Sequence, residues 1–223
     1  MAEDNIEETT GGENPEDFVA EETGERKSLE EERQEHSDTK VGEIRAKVET
    51  APASEPKFEI EGEEFPVFML EIGGKDKERL KIELKKGGFV ISDDAKAMFD
   101  NPEFTTLENP EQIDLVRLKV SDLGFPDGAT TDQIYAKAQE LGLELCPAEV
   151  GPHQRLKDTD QPIGEWYRIA TKQIVDRHGI PGVFNLFRPA DGSWLDSRIA
   201  YPRLKWDAVD PFVFRLPQVS QKS

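Results

Sequence analysis

The chain has 223 residues, 34% of them charged, and a formal net charge of −19. Such acidity argues against unspecific attraction to nucleic acid or an anionic membrane, and one cysteine, Cys146, permits no internal disulfide framework. No apolar run nears the roughly 20 residues of a membrane helix, and MAEDNIEETT lacks the basic and apolar regions of a signal peptide, so a cytoplasmic protein is expected.

Residues 1–56 hold most of the acidity, with 18 Asp/Glu against 6 Lys/Arg, while the remainder holds 29 against 22. Apart from Phe18 the segment has almost no aromatic residue, so it has too little apolar surface to offset its chain entropy. A disordered acidic tail is expected there, serving as a solubilising extension or as a tail for a basic partner. Within it, Ser28 to Glu35 has the signature of a short helix with a capping box at Ser28 and Glu31. APASEP (51–56) reads as the last linker.

From Lys57 the character changes, and one globular domain over 57–217 is expected, with 218–223 as a flexible end. Phe58 and Ile60 alternate with acidic residues and FPVFMLEI (65–72) is strongly apolar, which predicts a hairpin turning near Gly62. Asp76 to Lys86 places Leu80, Ile82 and Leu84 among charges, a pattern compatible with helix or exposed strand, and helix is preferred. Phe89 to Ile91 is a short strand. Ser92 caps a helix over 93–99 whose buried side is Ala95, Met98 and Phe99. The tripeptide Asn-Pro-Glu at 14–16, 101–103 and 109–111 reads as a helix or turn opening, not a repeat. Leu115 to Val120 alternates as a strand, with Val116, Leu118 and Val120 inward.

The stretch GATTDQIYAKAQELGLELCPAEVGP (128–152) is the densest structural statement in the chain. Thr130 or Thr131 caps a helix, Asp132 suits its dipole, and Ile134, Tyr135, Ala138 and Leu141 form one apolar stripe. Gly142 stops it. Leu143 and Leu145 then predict a short strand, ended by Pro147 and Gly151-Pro152. The run LGLELCPAEVGP, followed by Arg155-Leu156 and DQPIGEW (160–166), resembles a signature of uncharacterised bacterial proteins. The resemblance covers Ser92 to Phe214 and implies no activity, so it supplies no catalytic residue.

After Pro152 four short strands are expected, over 165–174, 182–188, 193–199 and 211–216, with Asp191-Gly192 as a turn. The predicted class is α+β: a few short helices packed on an antiparallel β meander.

Two constellations bear on function. The meander holds 9 aromatic residues and 8 Lys/Arg against 6 Asp/Glu. Trp166, Trp194, Arg198, Tyr201, Arg203 and Trp206 are candidates for binding a protein or small ligand by stacking, although an aromatic β core with outer arginines explains them more simply. An excess of two positive charges makes nucleic acid an improbable partner. Cys146, Glu149, His153 and Arg155 form the one cluster suggesting an enzyme, since a thiol nucleophile needs a base within reach and a group to orient it. A cysteine at the end of an apolar strand is more often a small buried hydrophobe. With three histidines, no cysteine pair and no HExxH, a metal site is not expected. Neither nucleotide-binding glycine motif is present, and no cofactor is expected. The leading expectation is a soluble, non-enzymatic binding or regulatory module; the alternative is a small hydrolase or transferase built on the Cys146 cluster.

Overall fold

A computed structural model describes residues 47–49 and 56–218, all within the unit Ile44–Ser223. The strands begin with β1 (Lys47–Glu49), β2 (Lys57–Ile60) and β3 (Glu63–Ile72), followed by helix α1 (Lys77–Lys86) and β4 (Val90–Ile91). Helix α2 (Asp93–Asp100) leads to β5 (Glu111–Lys119), a 3-10 turn at Ser121–Leu123, β6 (Ala129–Thr130) and α3 (Thr131–Glu140). Helix α4 (Val150–Lys157) precedes β7 (Trp166–Ile169), β8 (Ile174–Val175), β9 (Pro181–Phe187), β10 (Trp194–Ile199), β11 (Lys205–Trp206) and β12 (Pro211–Arg215).

The class is α+β. Ten strands form one mixed, mostly antiparallel sheet in the order β1-β2-β3-β5-β12-β7-β9-β10-β4, with β8 pairing the start of β9; β6 and β11 form a separate pair. Alternation along the strands supplies two buried faces. Leu115, Val213, Ile169, Phe184 and Leu195 share one core with Leu80 and Leu84 of α1, Met98 and Phe99 of α2, and Val150 of α4. Val116, Leu118, Phe212 and Phe214 share the other with Ile134 and Ala138 of α3, and with Trp206.

Local chemistry explains the elements that were anticipated. Asp76 caps α1 by accepting from the Arg79 N–H, and Ser92 caps α2 by accepting from Ala95. Thr130, rather than Thr131, caps α3 in a full capping box with Gln133. The β2–β3 hairpin turns through Glu61 and Gly62, at φ 50° and 86°, the pair of positive values that a tight hairpin needs.

Four expectations are corrected. The strands after Pro152 are not a meander: β12 inserts between β5 and β7, antiparallel to the first and parallel to the second, and β4 joins β10 in parallel. Alternation fixes which face a residue takes but not which strand lies beside it. The strand expected at 143–145 is reduced to two bridges, because the chain switches partners from Arg215 of β12 to Thr171 beyond β7. The turn expected at Gly151-Pro152 opens α4. Pro152 lies in the first helical turn, where its missing N–H has no partner to lose. A Cβ on Gly151 would lie 2.7 Å from Phe184, so glycine lets the helix approach the sheet. Finally, β1 falls inside the segment expected to be disordered and pairs with β2. The helix read at Ser28 to Glu35, and most of the acidic tail, lie outside the described residues.

Candidate functional site

Strands β7, β9 and β10 carry an open polar groove on the sheet face opposite α1, α2 and α4. Cross-strand register sets its floor in rows. Trp166 lies opposite Phe187; Arg168, Asn185 and Asp196 form the next rung; Val183 and Arg198 form the third. The intervening residues Tyr167, Leu186 and Leu195 point into the core on the helical side. Asp207 and Asp210, from the connection between β11 and β12, complete a depression of about 410 Å³.

Arg168, only 6% exposed, donates through Nη1 to Asp210 Oδ1 at 2.8 Å. Its guanidinium also lies 5.0 Å from the Trp206 ring centroid. Burial lowers the pKa of Arg168 from its ordinary value, Asp210 opposes that shift, and the nearby Arg198 cation adds to it. Asp210 Oδ2 accepts from the Asp207 N–H at 3.0 Å. Two buried atoms on this rung have no partner among the described residues: Arg168 Nε, a donor, and Asn185 Oδ1, an acceptor. Asn185 as a whole is 9% exposed. The side chains of Arg198, Asp196 and Asp207 enter no ion pair among the described residues.

A second depression, of about 490 Å³, shares Trp166 and is lined by Phe65, Val209, Pro211 and Arg117. It is larger and more apolar, and Lys119 at its edge enters no ion pair among the described residues. Arg117 donates to Glu165 at 2.9 Å, and Asp122 accepts from the Lys119 N–H at 2.7 Å. The first depression is the stronger candidate, because of the two it alone is lined by residues with buried polar atoms that lack partners among the described residues.

Of the six aromatic and arginine candidates, Trp166 and Arg198 line the groove. Trp194 shares the row of Phe187 but does not line it. Trp206 is buried, donates Nε1 to Thr131 Oγ1 at 2.9 Å and packs edge-on against Phe212. Tyr201 and Arg203 are exposed on the connection after β10. Arg168, Asn185, Phe187, Asp196, Asp207 and Asp210 were not singled out from sequence. The available signal was a single polar residue within each of two otherwise apolar strands, Arg168 in WYRI and Asn185 in PGVFNLF, beside Asp196 and Arg198 two residues apart in WLDSRI.

The Cys146 cluster has a different arrangement. Cys146 is 4% exposed, its Sγ lies 3.5 Å from the Val213 carbonyl oxygen, and burial pushes its thiol pKa far up, so it is protonated at neutral pH. Glu149, 1% exposed, accepts from the Gly73 N–H at 3.1 Å and the Leu107 N–H at 2.9 Å. His153 Nε2 lies 3.5 Å from the same carboxylate. Arg155 is fully buried, donating to Gln161 Oε1 at 2.5 Å and to the Asp158 carbonyl, with its guanidinium 5.2 Å from the Phe89 ring centroid. Glu149 and His153 thus lie side by side without a hydrogen bond between them, while the Arg155 Nη atoms and Cys146 engage other partners. His153 Nε2, Gln154 Oε1 and Arg155 Nε are buried without partners among the described residues, but away from either depression. None of the four lines either depression.

Compared with known proteins, the chain matches no family model, no curated protein and no solved structure. No helix among the described residues is long and apolar enough to cross a membrane.

Proposed function

We propose that the chain is a non-enzymatic cytoplasmic binding module that takes a small polar ligand into the groove of β7, β9 and β10. One observation carries this reading: the groove floor holds a buried donor, Arg168 Nε, and a buried acceptor, Asn185 Oδ1, both without partners among the described residues. A buried polar atom left unsatisfied costs about 1–3 kcal/mol, so a fold that keeps two on one rung of an open groove is suited to a ligand that satisfies them. Trp166 and Phe187 offer an apolar wall beside that rung, and the other six lining residues are polar or charged, which suits a polar ligand rather than the mostly apolar kind.

The test is a thermal-shift screen of the full chain against amino acids, sugars, nucleosides and dicarboxylates, repeated with Asn185→Leu. At least one class is expected to stabilise the wild type and not the variant. Hits that stabilise both equally, or no hit in any class, count against the groove.

A further inference from the structure

The free groups of the groove specify more than polarity: if the groove is a ligand site, they also define the class of ligand. Arg168 is neutralised by Asp210. Among the described residues that line the groove, this leaves one free cation, Arg198, and two free carboxylates, Asp196 and Asp207, around the orphan donor and acceptor. Asp196 and Arg198 stand two residues apart on one face of β10, so their Cα atoms are roughly 7 Å apart. Asp196 is directly opposite Asn185, and Arg198 is one rung further.

This pattern disfavours several ligand classes by charge. A phosphate or dicarboxylate dianion would meet one free cation, Arg198, and two free carboxylates, Asp196 and Asp207. The balance of charge in the groove therefore opposes it, even where exposure of Arg198 and Asp207 lets solvent screen the repulsion. An uncharged sugar would satisfy Asn185 yet desolvate three charges without pairing them. A lone metal ion is not favoured either, since no group of three metal-ligating side chains converges among the described residues.

We infer that the groove binds the head group of a free amino acid, with a basic side chain preferred. The α-carboxylate is placed to accept from Arg198 and the orphan Arg168 Nε. The α-ammonium donates to Asn185 Oδ1 and Asp196. The second cation of a basic side chain meets Asp207, and its aliphatic stem lies along Trp166 and Phe187. Every free group in the groove then has a partner of opposite charge or complementary hydrogen bonding.

The experiment is calorimetric titration of the full chain with L-arginine, agmatine (which lacks the carboxylate), N-acetyl-L-arginine (which lacks the free ammonium), L-leucine, glucose and inorganic phosphate. L-Arginine is expected to bind best. Agmatine and N-acetyl-L-arginine are each expected to bind about tenfold or more weakly, the loss of one charge-assisted contact. Arg198→Met is expected to weaken L-arginine by a similar factor while leaving agmatine almost unchanged. The inference is overturned if either truncated analogue binds as well as L-arginine. It is also overturned if glucose or phosphate binds instead; sensitivity of that binding to Asn185→Leu would leave the groove reading standing. If no compound binds, the amino-acid inference is overturned, and the groove reading is then decided by the nucleosides and dicarboxylates of the thermal-shift screen.

Discussion

Replacing Glu149 with Gln tests whether this buried carboxylate is a structural clamp. Glu149 sits at the N-terminus of α4 and accepts two backbone hydrogen bonds, from Gly73 at 3.1 Å and Leu107 at 2.9 Å. It thereby ties the turn after β3 to the loop before β5, and the Gly74 N–H donating to the Leu107 carbonyl at 3.0 Å joins the same two segments. Hydrogen bonds to a charged acceptor contribute about 1.5–3 kcal/mol each. Glutamine keeps one acceptor oxygen and turns an amide donor toward the other N–H. The variant should therefore lose about 2 kcal/mol, and Glu149→Ala, which loses both bonds, about 4 kcal/mol. With a urea slope of about 2 kcal/mol/M, these correspond to midpoint shifts of roughly 1 M and 2 M. Equilibrium urea unfolding followed by tryptophan fluorescence measures them. If Glu149→Gln shifts the midpoint by less than about 0.3 M, Glu149 is not a clamp.

Two further predictions concern buried groups and backbone. Burial raises the pKa values of Cys146, Tyr135 and Tyr167. Groups of this kind contribute their full stability below their unfolded values, about 8.5 for Cys and 10 for Tyr, and lose it as pH rises toward the folded values. The urea midpoint should accordingly fall from about pH 8.5 upward, and Cys146→Ala should flatten the earliest part of that fall; a midpoint constant to about pH 10.5 would contradict the burial. Gly128 and Gly142 both have positive φ, at 81° and 79°, but a Cβ on Gly128 would run into the Trp206 carbonyl whereas one on Gly142 meets nothing within 4 Å. Gly142→Ala should cost about 1 kcal/mol and Gly128→Ala clearly more; equal losses by denaturant titration would show that the β6–β11 contact yields freely.

Where local chemistry decides the structure, the sequence was readable. Ser92, Thr130 and Gly142 mark helix ends because caps and left-handed stops depend on single residue types. The apolar stripe of α3 and the alternation of β5 follow from periodicity in the same way. What periodicity cannot supply is neighbourhood. Nothing in PFVFR indicates that β12 enters between β5 and β7, or that β4 pairs with the distant β10. Helix α4 is not legible in sequence because Gly151 and Pro152 have the signature of a turn, and only the close approach of Gly151 to Phe184 shows why a glycine stands inside a helix there. The same limit governs the site. Trp166 and Arg198 stood out as residue types, but Arg168, Asn185 and Asp196 become a rung only when three strands are placed in register. Trp206 stood out as well, and the fold uses it as core.

The most direct measurement is a two-dimensional ¹H–¹⁵N spectrum of the full chain, titrated in turn with amino acids, sugars, nucleosides and dicarboxylates. A binding compound is expected to shift the Trp166 indole, the Asn185 side-chain amide and the Arg198 backbone amide, leaving Gly73 and Leu107 in place. Shifts confined to the surroundings of Glu149 and His153, with the β7–β9–β10 groove silent, would contradict a ligand site in the groove.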